Sequence, residues 1–185
     1  MILSFDEAKG TQAAALLLRL SGKPMSYLAL IKLLYKADRE ALRRWALPIT
    51  TDKYVSMKHG PVLSRLYDRI KASANTSVPP TFWSEHIQKD ADPHKVRLAK
   101  DPGNSELSRA EENLLTEVFA ADGAKDRFNL VEDCHRDFPE WTDPGNRSVP
   151  LDIREIIEAL GLSKEQSDAV ADQIEAQIAS RSLAA

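Results

Sequence analysis

The sequence predicts a mainly α, α+β fold: one compact helical domain of six or seven helices, with one or two small antiparallel β-hairpins at its side. Apolar residues recur at helical spacing through most of the chain, and only short β-prone runs bounded by turn residues interrupt them. Hydrophobic residues make up 43% and charged residues 29%, with seven glycines; that balance suits a helix-rich globule and not a disordered or fibrous chain. At 185 residues the chain can close one core without staples. Residues 1–185 are therefore expected to be a single domain, with 150–185 supplying C-terminal helices.

Ser4 followed by Glu7 reads as a capping box for a first helix through Ala13–Leu20, ending at Ser21-Gly22. The Gly22-Lys23-Pro24 loop is short enough that this helix packs against the next. That second helix spans about Ser26 to Trp45. Tyr27, Leu30, Ile31, Leu34, Asp38, Leu42 and Trp45 share its inward face, all apolar except Asp38, and Pro48 stops it. The opposite face aligns four cations, Lys32, Lys36, Arg39 and Arg43.

After Pro48 the pattern changes. Ile49-Thr50 and Tyr54–Met57 are β-prone runs around a Thr51-Asp52-Lys53 turn, which predicts a small hairpin. Gly60-Pro61 predicts the start of a helix, with Val62, Leu63, Leu66, Tyr67 and Ile70 inward and Arg65 and Arg69 outward. Two residues here admit two readings each. Asp38 is either a structural carboxylate accepting hydrogen bonds from loop N–H groups or an arginine, or a functional group. His59 is either an exposed loop histidine or part of an anion or partner-terminus site formed with Lys58 at a helix N-terminus.

The run LLYKADREAL (residues 33–42), the PIT turn (48–50) and the block YVSMKHGPVLSRLYD (54–68) resemble the Panacea domain of SocA-like antitoxins and phage-associated proteins. The resemblance covers roughly Met25 to Trp141, and Leu130, His135 and Trp141 look like the segment that closes that domain. It implies a small protein, paired with an adjacent toxin gene, that binds and neutralises a cognate protein toxin. In the SocA-like branch it implies an adaptor that delivers the toxin to a AAA+ protease. No catalytic residue comes with the family, and no cofactor is expected.

Beyond Lys71 the segment 72–81 has no periodicity and reads as an extended connection. Phe82–Ile87 and Lys95–Ala99 are expected to be strands of a second hairpin, with Trp83, Ile87, Val96 and Leu98 on one face. Ser108 and Glu111 form a capping box for a helix carrying Leu114, Leu115, Val118 and Phe119 to Asp122-Gly123. A shorter helix follows over Asn129–Arg136, with Leu130, Val131 and Cys134 inward. The segment from Thr142 to Val149 is a loop, Asp152–Leu160 a short amphipathic helix, and Ser163 with Gln166 caps a last helix through Val170, Ile174 and Ile178.

Charge is uneven. Lys23–Lys71 holds eleven Lys/Arg against four Asp/Glu, and the remainder fourteen against twenty-four, giving the net −3. The basic centre steers acidic partners. On this basis Lys32, Lys36, Arg39, Arg43, Lys58, His59 and Arg65 are the expected partner-binding residues, with Asp38 as a structural polar group. Autoregulatory DNA binding, as a transcription factor, is the alternative. Against nucleic acid stand a pI near 5.8, no aromatic among those cations, and no helix-turn-helix pattern.

Catalysis and metal binding find no support. His59, His86, His94 and His135 are scattered, and Cys134 and His135 fall on different helix faces. Cys134 belongs to an apolar face, where cysteines are inert. No P-loop, dinucleotide fingerprint or nucleophile elbow is present. The expectation is a non-enzyme without metal. A lone cysteine fits a reducing cytoplasm, and neither a secretion signal nor a run of about eighteen apolar residues places the chain in or across a membrane.

Overall fold

The computed structural model describes residues 5–72 and 79–184, and over these it is a mainly α, α+β fold with eight helices and two three-stranded antiparallel sheets. Helix α1 (Glu7–Ser21) is capped by Asp6, whose side chain accepts from the Lys9 N–H. The expected cap Ser4 lies outside the described residues. Glu7 serves packing instead: it accepts from the Trp83 N–H at 3.0 Å and pairs with Arg69 at 2.7 Å. Gly22 ends α1 in the left-handed region (φ +63°), returning its N–H to Leu18 and Arg19.

Strand β1 (Met25–Ser26) leads into helix α2 (Tyr27–Trp45), which forms the axis of the fold. Every residue from Ala29 to Tyr35 is buried, because α1 and two later helices, α5 (Arg109–Asp122) and α6 (Arg127–Asp137), all pack on α2. A helix enclosed on all sides needs apolar residues all round, and Leu30, Ile31, Leu33 and Leu34 supply them.

The first hairpin differs from the expected one. It pairs β2 (Tyr54–Met57) with β3 (Gly60–Leu63), in the register Tyr54 to Leu63 and Val55 to Val62, and turns at Lys58-His59. Gly60-Pro61 thus begins a strand, and the helix α3 (Ser64–Ala72) starts three residues later. Proline is tolerated because β3 is the edge of a sheet ordered β3-β2-β6, where its missing N–H breaks no ladder. The third strand, β6 (Val149–Pro150), lies at the end of the expected 142–149 loop. Ile49-Thr50 is no strand; it is a connection held by side chains.

The second sheet has the order β1-β5-β4, built on the hairpin of β4 (Ile87–Lys89) and β5 (Lys95–Leu98). Phe82–His86 departs from the expected strand and forms one turn of helix, α4. Thr81 and Ser84 make a reciprocal capping box there, and Trp83 is buried. This extra turn raises the helix count above the expected six or seven. The Ser108–Glu111 capping box starts α5 as read from sequence.

The C-terminal pair is α7 (Ile153–Ala159) and α8 (Lys164–Ala184). Helix α8 folds back on α7: the Ser167 hydroxyl donates to Arg154 O at 2.8 Å, Arg154 pairs with Asp168 and Asp172 at 3.0 Å, and Ala171 and Ile174 are buried. The expected inward residue Ile178 has its side chain outside the described residues. No helix among the described residues is long and apolar enough to cross a membrane.

Leu34, Leu42, Leu66 and Ile70 all sit in one contiguous core cluster. Leu66→Ala is expected to cost about 2–5 kcal/mol of unfolding free energy, since it removes buried methyl groups from a site that can only partly collapse. Val149→Ala, at a side chain 41% exposed, should stay within about 0.5 kcal/mol. Urea denaturation of the two variants measures the contrast.

Candidate partner-binding site

The chain leaves α2 through a connection that Asp38 and Asp52 organise. Asp38 is buried and accepts from the N–H groups of Ile49 and Thr50, each at 2.9 Å, from the Thr50 hydroxyl, and from the Tyr54 hydroxyl at 2.9 Å. Its four donors come from the segment it orients. Thr51 is thereby held in the left-handed region (φ +49°), an uncommon state for a β-branched residue. Asp52, also buried, accepts from the N–H groups of Lys53, Arg65 and Leu66, so it caps α3 from across the hairpin.

Burial pushes both carboxyls up to about 6, against the hydrogen bonds that favour their ionised forms. A carboxyl with a folded pKa above its unfolded value adds stability that is complete below about 4 and is lost as the pH rises through about 6. Glu40 behaves oppositely: hydrogen bonds from Arg43 hold it down to about 2. In a carbon-detected carboxyl titration, Asp38 and Asp52 should therefore show midpoints near 6 while Glu40 titrates near 2. Ordinary midpoints for both aspartates would refute the effect of burial.

The four cations of α2 do not share one exposed line, which corrects the expected stripe. Lys32 is fully buried, and its Nζ donates to Pro61 O at 2.6 Å. Helix α2 is covered on that side by β3, so a side chain read as outward meets the hairpin instead. Burial lowers the Lys32 amine to about 8. Lys36 pairs with Asp122 at 2.7 Å and approaches Asp133 at 3.6 Å. Arg39 pairs with Glu140 at 2.9 Å and lies 4.8 Å over the Phe138 ring. Arg43, bonded to Glu40 within its own helix, is 57% exposed. Exposure therefore rises along α2 from Lys32 to Arg43.

Lys58 and His59 form the exposed tip of the β2–β3 hairpin, so His59 sits at a strand turn and not at a helix N-terminus. Hydrogen bonds from the core and from the segment after α6 hold that hairpin near its tip. Lys32 holds β3 from below, and the Trp141 indole N–H donates to Met57 O at 2.9 Å. His135 stacks on Trp141, with ring centroids 3.9 Å apart and planes 6° from parallel. Burial, then the Lys32 charge, holds the His135 imidazole below its ordinary value. Arg65 has another neighbourhood: its guanidinium lies 5.9 Å from the Phe5 ring centroid.

Three participants escape a reading of the sequence by surface pattern. Glu140 is fully buried on its side chain and binds both Arg39 and the Tyr35 hydroxyl; its placement between Phe138 and Trp141, a carboxylate among aromatics, is the available signal. Asp122 and Asp133 take up Lys36 and Lys125. Cys134 is buried, and burial pushes its thiol up to about 11, which leaves no thiolate nucleophile near neutral pH. No cluster of three or more potential metal ligands occurs among the described residues.

Gly60 closes the arrangement. At φ +92° it adopts a backbone that side chains avoid, and a Cβ there would lie 2.9 Å from Lys32 Nζ. Gly60→Ala is expected to cost about 2–3 kcal/mol, more than Gly22→Ala, which has a positive φ but open space around it. Equal losses in thermal unfolding of the two variants would show that Lys32 does not crowd this position.

The hairpin tip thus stands beside a tryptophan–histidine stack on a helical scaffold. The family model for the antitoxin SocA-like Panacea domain matches residues 30–142, the segment that builds α2, the pinned hairpin, α5 and α6, and the chain belongs to that family. No curated protein and no solved structure matches it.

Proposed function

We propose that this antitoxin-family protein neutralises a cognate protein toxin by binding it through the tip of the β2–β3 hairpin and the surface around it. Lys58 and His59 provide the contacts at the tip, the His135–Trp141 stack an aromatic platform beside it, and Arg43 an exposed cation at the end of α2. Lys36 and Arg39 border this face and hold its shape through their carboxylate partners. Lys32 supports it from beneath, and Arg65 flanks the hairpin on its α3 side. The bound toxin is then delivered to a AAA+ protease, which makes the protein an adaptor as well as a blocker. The observation that carries the reading is the match of an antitoxin family to the segment that builds the pinned hairpin.

Binding, without chemistry of its own, is the proposed mode of action. Charge complementarity steers the encounter, while aromatic and arginine anchors supply affinity. DNA recognition is less favoured, because Lys36, Arg39, Arg43 and Arg44 are each engaged by a carboxylate and make no continuous phosphate track.

The test is to express the neighbouring open reading frame with and without this chain. Relief of toxicity by the wild type, and its loss in Arg43→Glu plus Lys58→Glu with unchanged thermal unfolding, is the expected result. Rescue that survives both reversals would remove the proposed face. A harmless neighbour, together with retardation of DNA by the purified protein, would replace the antitoxin reading with the regulator. Toxin levels that fall only in hosts with an intact AAA+ protease would mark delivery; levels independent of the protease would leave blocking alone.

A further inference from the structure

A groove of about 530 Å³ opens where the N-terminal end of α2 meets the connection between α5 and α6. Its walls include Lys23, Lys95, Lys125, Arg127 and Phe128. It lies at the first turn of α6, the opposite end of that helix from His135, and so belongs to a different surface from the hairpin tip.

The charges in the groove are unevenly satisfied. Lys125 is engaged by Asp122 at 2.7 Å and by Asp133 at 2.6 Å. Asp126 caps α6 by accepting from the Phe128 N–H, and Asp92 accepts from the His94 N–H and sits 3.6 Å from Lys95. Lys23 and Arg127 have no carboxylate partner among the described residues. The Arg127 guanidinium lies 4.8 Å over the Phe128 ring, and Phe128 is 54% exposed, more than any other large apolar side chain described. The end of α2 adds to the positive field, since its first turn holds no acidic residue and its N-cap Ser26 makes no side-chain capping bond. The Ser26 hydroxyl is a buried oxygen without a hydrogen-bond partner, in a residue that lines the groove. Two cations without carboxylate partners and a half-exposed aromatic ring, one of its faces under Arg127, therefore line one concave surface.

We infer that this groove docks an acidic segment of a partner protein, whose carboxylates pair with Lys23 and Arg127 and whose apolar side chain covers Phe128. Charge complementarity selects this occupant. A nucleic acid fits less well, because the chain carries a net charge of −3 and two free cations make no continuous phosphate track. The docking does not depend on which surface holds a toxin.

The experiment uses fluorescence anisotropy of the full chain with a short labelled peptide of aspartate, glutamate and leucine, against the same peptide with asparagine and glutamine in place of the acids. The acidic peptide should bind and the amide peptide should not. Lys23→Glu plus Arg127→Glu should weaken binding by about tenfold or more, and Phe128→Ser, at an exposed position, should weaken it with the fold intact. Arg147→Glu plus Lys164→Glu, an equal change of charge at exposed sites elsewhere, should leave it unchanged. Absence of binding, equal binding of the two peptides, or equal losses from both charge reversals would overturn the inference. So would a labelled DNA duplex that binds in place of the peptide and is released by the same Lys23 and Arg127 reversals, which assigns the groove to nucleic acid. A dimer seen by sedimentation and abolished by Phe128→Ser would overturn it in favour of a second copy of this chain.

Discussion

A carboxylate buried without a counter-ion has to be solvated by the chain itself, and Asp38 meets that constraint with four donors drawn from residues 49–54. The direction of the chain after α2 follows from it. Two of the donors are consecutive backbone N–H groups, so Ile49 and Thr50 must turn towards the helix. The Tyr54 hydroxyl then places the first residue of β2, and Asp52, between them, caps α3 on the far side of the hairpin. Helix, connection, hairpin and next helix are thus ordered by two acidic side chains. Losing one acceptor would strand several buried donors at once, each at about 1–3 kcal/mol.

The hairpin so placed is then made rigid from two other directions. Lys32 reaches it through the core and Trp141 from the segment after α6, so α2, β2–β3 and the chain around residue 141 form one unit. Rigidity of this kind lowers the ordering cost of association. It also explains why a lysine is buried within an apolar helix: its head group binds the carbonyl of Pro61 on an edge strand that the helix would otherwise leave unsupported.

Much of this was legible in the residues, and the failures have local causes. The inward stripe of α2, with Asp38 interrupting it, reads directly from the 3.6-residue period. The Ser108–Glu111 box fixes the start of α5 because cap chemistry is local. Gly60-Pro61 misleads because the same pair suits a helix start and an edge strand, and only pairing with Tyr54–Met57 decides between them. Phe82–Ile87 looks extended by its aromatic content, but the Thr81–Ser84 cap commits it to a helical turn. Lys32 reads as a surface residue, although the neighbouring run Leu30, Ile31, Leu33 and Leu34 already marks a helix that is apolar all round. The pairings of Lys36 with Asp122 and of Arg39 with Glu140 depend on tertiary approach between segments 86 and 101 residues apart, and no sequence period encodes them.

The central claim is that Asp38 anchors the hairpin through the connection it solvates. Amide hydrogen exchange measured on Asp38→Asn tests it most directly, because the substitution keeps the shape and removes one charged acceptor. The account predicts faster exchange at Ile49, Thr50 and across β2 and β3, with protection in α1 and α5 unchanged. Exchange in the hairpin that matches the wild type, or that rises equally throughout the molecule, would contradict it.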